Sequence, residues 1–270
     1  MTTPKPLFDL LELERIEVNL FRGRAPADGR TRIFGGHVIA QALLAAYQTV
    51  EGRVCHSVHG YFIRPGDPSV PILYEVDRAR DGGSFSTRRV IAIQHGHQIF
   101  NLACSFQVPG DGVEHQDPMP GVPRAEALPV DDREDGDDWP IDMRRVEPRD
   151  FVPEQAFQNN WMRAHDPLGD DIVRNQVAIA FASDMALMGT AMRAHGLQWD
   201  TPGMQTASLD HAIWFHRPTT FNDWHLFAQT SPSASGGRGL NFGEVFNADG
   251  RLVASIAQEG LMRMRPPRVA

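Results

Sequence analysis

Apolar positions along the chain fall first at helical and then at strand spacing, and that order occurs twice. Residues 7–21 open with a short amphipathic stretch and run into a strand-like segment at 16–21. In FGGHVIAQALLAAYQTV, the residues Ile39, Ala42, Leu43, Ala46 and Tyr47 recur at helical spacing. Gly35 and Gly36 let the backbone turn tightly before that helix. Strand-like runs follow at 54–64, 72–80, 84–94 and 98–108. In the last, Phe100, Leu102, Cys104 and Phe106 alternate onto one face, as a half-buried strand requires. One helix followed by a series of strands predicts an α+β fold with an antiparallel sheet rather than βαβ winding.

From residue 109 to 149 the pattern gives way to frequent prolines and a dense acidic run, DDREDGDD at 131–138, which reads as a solvated linker or crossover. Then the first order returns. A strand-like QNNWMRA precedes FASDMALMGTAMRAHG at 181–196, which is apolar on nearly every side from Met185 to Ala194. Such a segment is expected to be a helix wrapped by protein. Ser183 and Asp184 stand at its start, where a side-chain oxygen caps free backbone N–H groups and a carboxylate suits the helix dipole. Further strand-like runs follow at 206–217, 224–231, 238–247 and 251–263.

Two short matches identify a repeat. Tyr61-Phe62-Ile63-Arg64-Pro65 is similar to Trp214-Phe215-His216-Arg217-Pro218, and the turn at Gly96 is similar to that at Gly250. The chain therefore divides into a first unit at 1–108, the linker at 109–149 and a second unit at 150–270. Sites in such duplications lie between the copies.

Three polar residues in the second copy look out of place. Gln258 shares the face of Leu252, Ala254, Ile256 and Met262, and a buried amide left unpaired costs roughly 1–3 kcal/mol. Ser208 opens an otherwise apolar strand, and Asp184 opens the buried segment. Aligned on the repeat, Ser208 matches Cys55, Gln258 matches Cys104, and Asp184 falls near the turn at 35–37. The first copy thus has small, weakly polar groups where the second has a hydroxyl, an amide and a carboxylate. One working site and one silent counterpart explain the difference. A corollary is that Cys55 and Cys104 lie on adjacent or nearby strands. His211 and His216, beside aromatic residues on a strand, are expected to pack or hydrogen-bond.

Composition narrows the class. A hydrophobic fraction of 41% supports real cores in 270 residues. A net charge of −8 argues against nucleic-acid partners and anionic membranes. Two cysteines without CxxC spacing suggest neither a disulfide framework nor a cysteine metal site. With no signal-peptide pattern and no run of 18 apolar residues, a cytoplasmic protein without a membrane span is expected.

The motifs FRGR, FGGHVIAQAL, HGYFIRPGD and GGSFSTRRV in the first copy, with FASDMAL, SLDHAIWFHRP and ASIAQEGLMR in the second, resemble the acyl-CoA thioesterase II family. The resemblance implies a double hotdog fold, two long helices each wrapped by an antiparallel sheet. It also implies hydrolysis of fatty acyl-CoA by a water held among Asp184, Ser208 and Gln258, with serine where many relatives carry threonine. Coenzyme A is then part of the substrate, and neither a cofactor nor a metal is expected. Backbone N–H groups at the start of the central helix would polarise the thioester carbonyl. Arg88, Arg89 and Arg238 are candidates for the coenzyme A phosphates, and exposed sheet edges favour a homo-oligomer, dimer or tetramer. The alternatives are a hotdog enoyl-CoA hydratase or dehydratase, which needs a second proton-transfer group near Asp184, and a non-catalytic acyl-CoA binding module.

Overall fold

In the computed structural model the described residues are 6–26, 29–129, 139–148 and 155–265. In chain order they form α1 (Leu7–Leu10), β1 (Leu13–Glu17), β2 (Leu20–Gly23), α2 (Gly35–Tyr47), β3 (Val54–Phe62), β4 (Ile72–Asp81), β5 (Phe85–Gln94) and β6 (His97–Gln107). After these come β7 (Ile141–Arg145), β8 (Phe157–Ala164), α3 (Ile172–Ser183), α4 (Gly189–Arg193), β9 (Met204–Ser208), β10 (Asp210–Phe215), β11 (His225–Ser235), β12 (Arg238–Phe246) and β13 (Leu252–Met264). The strands pair antiparallel in the order β1-β2-β4-β5-β6-β3-β10-β13-β12-β11-β8-β7, with β9 also on β13. The strand runs expected after each helix are present, joined by the β3–β10 pairing, but the strand expected at 16–21 is instead the turn of a hairpin between β1 and β2.

That seam carries the repeat. Shifting by 153 positions, the separation of Phe62 and Phe215, turns the pair Asp210–Tyr61 into Trp214–Ser57 and the pair His211–Gly60 into Val58–Ile213, while Ala212–His59 maps onto itself. All of these pairs are observed, so a local two-fold axis passes through His59 and Ala212. The same shift carries Arg88, paired with Cys104, onto Asn241, whose partner Gln258 lies one position beyond the shifted Cys104.

The two long helices are buried along almost their whole length and lie antiparallel inside the sheet. Phe34, just before α2, stacks edge-on against Phe181 near the end of α3, with ring centroids 5.2 Å apart. At the other end, Tyr47 of α2 donates its hydroxyl to Gln176 of α3. The core runs continuously across both halves.

The second helix differs from the expectation. It spans 172–183 and ends at Ser183, with Asp171 as its N-cap accepting from Val173 and Arg174. Asp184 is its C-cap. The chain then breaks at Ala186, which adopts a left-handed φ of 65°, and resumes as the short α4. Asn175 and Gln176 break the apolar pattern of α3, yet both are buried because their amides are occupied by Gly169, Asp171 and Phe221 and by Cys55 and Tyr47. Buried polar groups with complete partners hide a helix from a reading by hydrophobicity. The repeat alignment of Asp184 changes too. As the C-cap of α3 it corresponds to Gln48, the exposed C-cap of α2, and not to the turn at 35–37.

The linker expectation also needs amendment. Residues 141–145 form β7 on the edge of the sheet. Before it, Pro123 accepts from the Trp161 indole and Gln116 bridges Gly250 and Leu252, so this crossover is docked on the second half. The acidic run at 131–138 lies outside the described residues.

Candidate functional site

Asp184, Ser208 and Gln258 come together although they belong to α3, β9 and β13. Gln258 Nε2 donates to Asp184 Oδ1 at 2.5 Å, and Ser208 Oγ donates to the same oxygen at 3.3 Å. The second oxygen, Oδ2, accepts from the backbone N–H of Gly36 at 2.9 Å. Phe34 offers no side-chain oxygen to cap α2, so Asp184 supplies that cap from the opposite half. The carboxylate does cap a helix, but it is α2, whose positive end faces it, rather than the helix it was expected to open.

This contact explains the double glycine. α2 already begins at Gly35, and neither residue has positive φ, so tight turning is not the reason. A Cβ on Gly35 would stand 2.6 Å from Asp184 Oδ2, and one on Gly36 would stand 2.3 Å from the Phe181 carbonyl oxygen. Close approach of the two helices requires both. The expected free N–H groups at the head of the central helix are likewise revised. The helix head at the site is that of α2, and its Gly36 N–H is already taken by the carboxylate.

Asp184 keeps part of its surface open but is hemmed in by both helices and β13. Burial is the largest influence on it and raises its pKa from 3.8 to about 6, against the lowering effects of Gln258, Gly36, Ser208 and Arg32. Gln258 is fully buried, and its Oε1 has no hydrogen-bond partner among the described residues. An unpartnered acceptor on the amide whose N–H meets a carboxylate is a place for a donor such as water.

Regular strand alternation misses one neighbour. Ser208 pairs with Gly260 and Ala212 with Ala257, so β13 runs past a one-residue irregularity at Leu209–Asp210. Ser208 and His211, three apart, therefore both turn toward the helices. The first half has the same device between Cys55 and Ser57, with Cys55 and Val58 both buried. The signal was present in the sequence as the match of Cys55 and Val58 to Ser208 and His211. His211 Nδ1 lies 3.0 Å from Gln258 Nε2, and its Nε2 lies 2.8 Å from Ser183 Oγ. Burial lowers its pKa to about 3, so the ring is neutral and both its nitrogens are engaged. It cannot act as the second proton-transfer group of a hydratase. His195 is exposed after α4 and supplies none either. Asp210 accepts from the Glu259 N–H and fixes the irregularity.

None of the three candidate arginines is brought to Asp184. Arg88 is buried, and its five N–H groups go to Thr49 Oγ1, Thr49 O, Arg80 O, Thr87 O and Asp81 Oδ1. It has no donor left for a phosphate. Arg89 alternates onto the outer, solvent face of β5. Arg238, also on the outer face, pairs with Glu259 at 2.9 Å. The arginine that does influence Asp184 is Arg32, an exposed residue whose Nη1 donates to Thr206 O of β9 at 3.0 Å.

In the first half, Cys55 and Cys104 lie on the adjacent strands β3 and β6. Burial pushes both thiols up, Cys104 to about 12, so neither is a ready nucleophile. Tyr47, Gln176 and Arg88 fill the surrounding space with satisfied hydrogen bonds. Among the described residues no group of three or more His, Cys, Asp or Glu is arranged to hold a metal ion, and no helix is long and apolar enough to cross a membrane.

Comparison with known proteins places the chain in a family. Residues 130–261 match the family model described as acyl-CoA thioesterase, and residues 23–107 match the acyl-CoA thioesterase N-terminal domain. The chain is 40% identical to acyl-CoA thioesterase 2 of Haemophilus influenzae, over 95% of this chain and 96% of the relative. It superimposes on the crystal structure of an acyl-CoA thioesterase II from Mycobacterium marinum with a TM-score of 0.84 and 43% identity, covering 96% of this chain and 98% of the other. A hot dog fold protein from Alicyclobacillus acidocaldarius, 21% identical, matches with a TM-score of 0.83 over 96% and 98% of the two chains and attests the fold alone. With both family models matched and extended identity at 40%, the chain belongs to the acyl-CoA thioesterase family.

Proposed function

We propose that the protein hydrolyses fatty acyl-CoA to the free acid and coenzyme A, as a double hotdog whose second unit, 150–270, carries the catalytic side chains and whose first unit, 1–108, is silent. The observation that carries this reading is the convergence of Ser208 and Gln258 on one oxygen of Asp184, beside an unpartnered buried Gln258 carbonyl oxygen. A water accepted there gives one proton to Asp184 and directs the other at Gln258 Oε1. Ser208 holds the carboxylate and the water in register, which replaces a diffusional encounter by a fixed approach.

The raised pKa of Asp184 suits this work, because a base near neutrality is stronger than an ordinary carboxylate yet ionised at pH 7. As the water oxygen bonds to the thioester carbon, its proton passes to Asp184 and negative charge develops on the carbonyl oxygen. The positive end of α2 favours that charge. Collapse breaks the carbon–sulfur bond, and the proton held by Asp184 returns to the departing thiolate. Water is the sole co-reactant, so no cofactor or metal is required. Arg32, exposed beside β9 and close enough for its charge to act on Asp184, is the cation offered to the polar part of the substrate.

The reading is tested by mixing the protein with acyl-CoA esters of graded chain length and following free thiol. Release with saturated and enoyl substrates alike supports it. Loss of enoyl absorbance without thiol, or binding without either change, would replace it with hydration or with a carrier role.

A further inference from the structure

Resting on that reading, we propose that His211 is a positioning residue, which as a neutral imidazole between Ser183 and Gln258 fixes which way the Gln258 amide faces. The chain of hydrogen bonds has one consistent proton arrangement. Gln258 Nε2 can only donate, and it stands 2.5 Å from Asp184 Oδ1 and 3.0 Å from His211 Nδ1. Nδ1 therefore accepts, and the ring proton is on Nε2. That proton is donated to Ser183 Oγ at 2.8 Å, and the Ser183 hydroxyl in turn donates to the Ala180 carbonyl at 3.0 Å. The helix carbonyl thus selects the serine rotamer, the serine selects the histidine tautomer, and the tautomer selects the amide orientation.

The orientation matters because the alternative is a working amide turned round. With Gln258 reversed, its oxygen would face the ionised Asp184 carboxylate, and its NH2 would occupy the place that accepts from water. A reversed amide places two acceptors against each other on one side and leaves the water without one on the other. His211 is 1% exposed, so solvent cannot substitute for it. The first half marks its purpose by contrast, since Val58 stands at the matching position beside Cys104, where there is no amide to orient.

The groups facing Asp184 are the Gly36 N–H of α2, Ser208 of β9, Gln258 of β13 and the charge of Arg32. Those facing His211 are Ser183 of α3 and Gln258 of β13. Loss of the Gln258 donor removes a hydrogen bond that favours the ionised Asp184 carboxylate, so the acid limb of activity moves to higher pH.

The test compares His211→Phe with His211→Asn, whose amide oxygen restores an acceptor near the Nδ1 position. For acyl-CoA hydrolysis, H211F is expected to lower kcat by roughly 10–100-fold with KM within about twofold, and to move the acid limb upward. H211N is expected to recover kcat to within about fivefold of wild type and to return the limb to its place. An H211F enzyme with wild-type kcat and limb overturns the proposal, and so does an H211N enzyme no better than H211F. Nitrogen-15 spectra of the histidine-labelled full chain supply a readout independent of turnover. A neutral Nε2–H ring for His211 from pH 5 to 8 is expected, and a ring protonated on Nδ1 overturns the assignment. A wild-type protein inert toward every acyl-CoA would sink the proposed function, while the spectra would still decide the tautomer.

Discussion

Asp184 uses its two oxygens differently, and the division explains how a buried carboxylate remains in place. Oδ2 caps α2, while Oδ1 collects Ser208 and Gln258. Ser208 contributes a hydroxyl at 3.3 Å, a weaker contact than that of Gln258 at 2.5 Å. Replacing it by alanine is therefore expected to reduce kcat by about 3–10-fold, the worth of one ordinary hydrogen bond. Ser208→Thr keeps the oxygen and should stay near wild type. Steady-state thiol release with the two variants side by side checks this, and equal losses in both would remove the hydroxyl from the account. The three polar residues were legible in the sequence because each interrupts an apolar pattern in one copy of the repeat only. His211 was expected to pack or hydrogen-bond, and it does, but its place beside Gln258 was not foreseen, because the irregularity at Leu209–Asp210 turns Ser208 and His211 to the same side.

At the scale of elements, the strands after each helix were readable, whereas the β1–β2 hairpin, β7 and the second helix were not. Runs such as 98–108 alternate in the sequence and are β6 in the fold. α3 was concealed by Asn175 and Gln176, which are buried but satisfied, and the apolar stretch after it was taken for the helix itself. That stretch is α4 and the bend at Ala186, whose carbonyl is held by Gln158 Nε2 at 2.7 Å. The head of α2 is equally specific. Gly35→Ala would place a methyl 2.6 Å from Asp184 Oδ2, so the carboxylate must move or the helices must part. The expected outcome is at least a tenfold fall in kcat, since even a displacement of about 1 Å is costly when groups must be aligned. Gly52→Ala, a control at an exposed turn with nothing near its Cβ, should affect stability through its positive φ and leave kcat unchanged. Parallel kcat and melting-temperature measurements separate the two effects.

For the whole molecule, the two halves share matched positions about the β3–β10 seam and differ in the side chains that stand there. The position that holds Asn241 in the second half holds Arg88 in the first, and the five hydrogen bonds of that guanidinium make it a structural member. Arg88→Met is expected to destabilise the fold by about 2–4 kcal/mol through the acceptors left unpaired, with the KM for acyl-CoA unchanged. Denaturant unfolding together with kinetics checks this, and a raised KM at unchanged stability would return Arg88 to the substrate site. The halves also depend on each other, because the cap that Asp184 provides to the Gly36 N–H of α2 crosses between them. A chain of residues 150–270 alone retains Asp184, Ser208 and Gln258 but is expected to release no thiol, and mixing with residues 1–108 is the assay that checks the dependence. The most direct test of the central claim is the pH dependence of thiol release by wild type and Asp184→Asn. The base must be ionised, so wild-type kcat should fall as pH drops through about 6, the raised pKa of Asp184. Asp184→Asn should lie roughly 10²–10⁴-fold below the wild-type plateau and lack that limb. Turnover by Asp184→Asn at the wild-type level, with the limb still in place, would contradict the account.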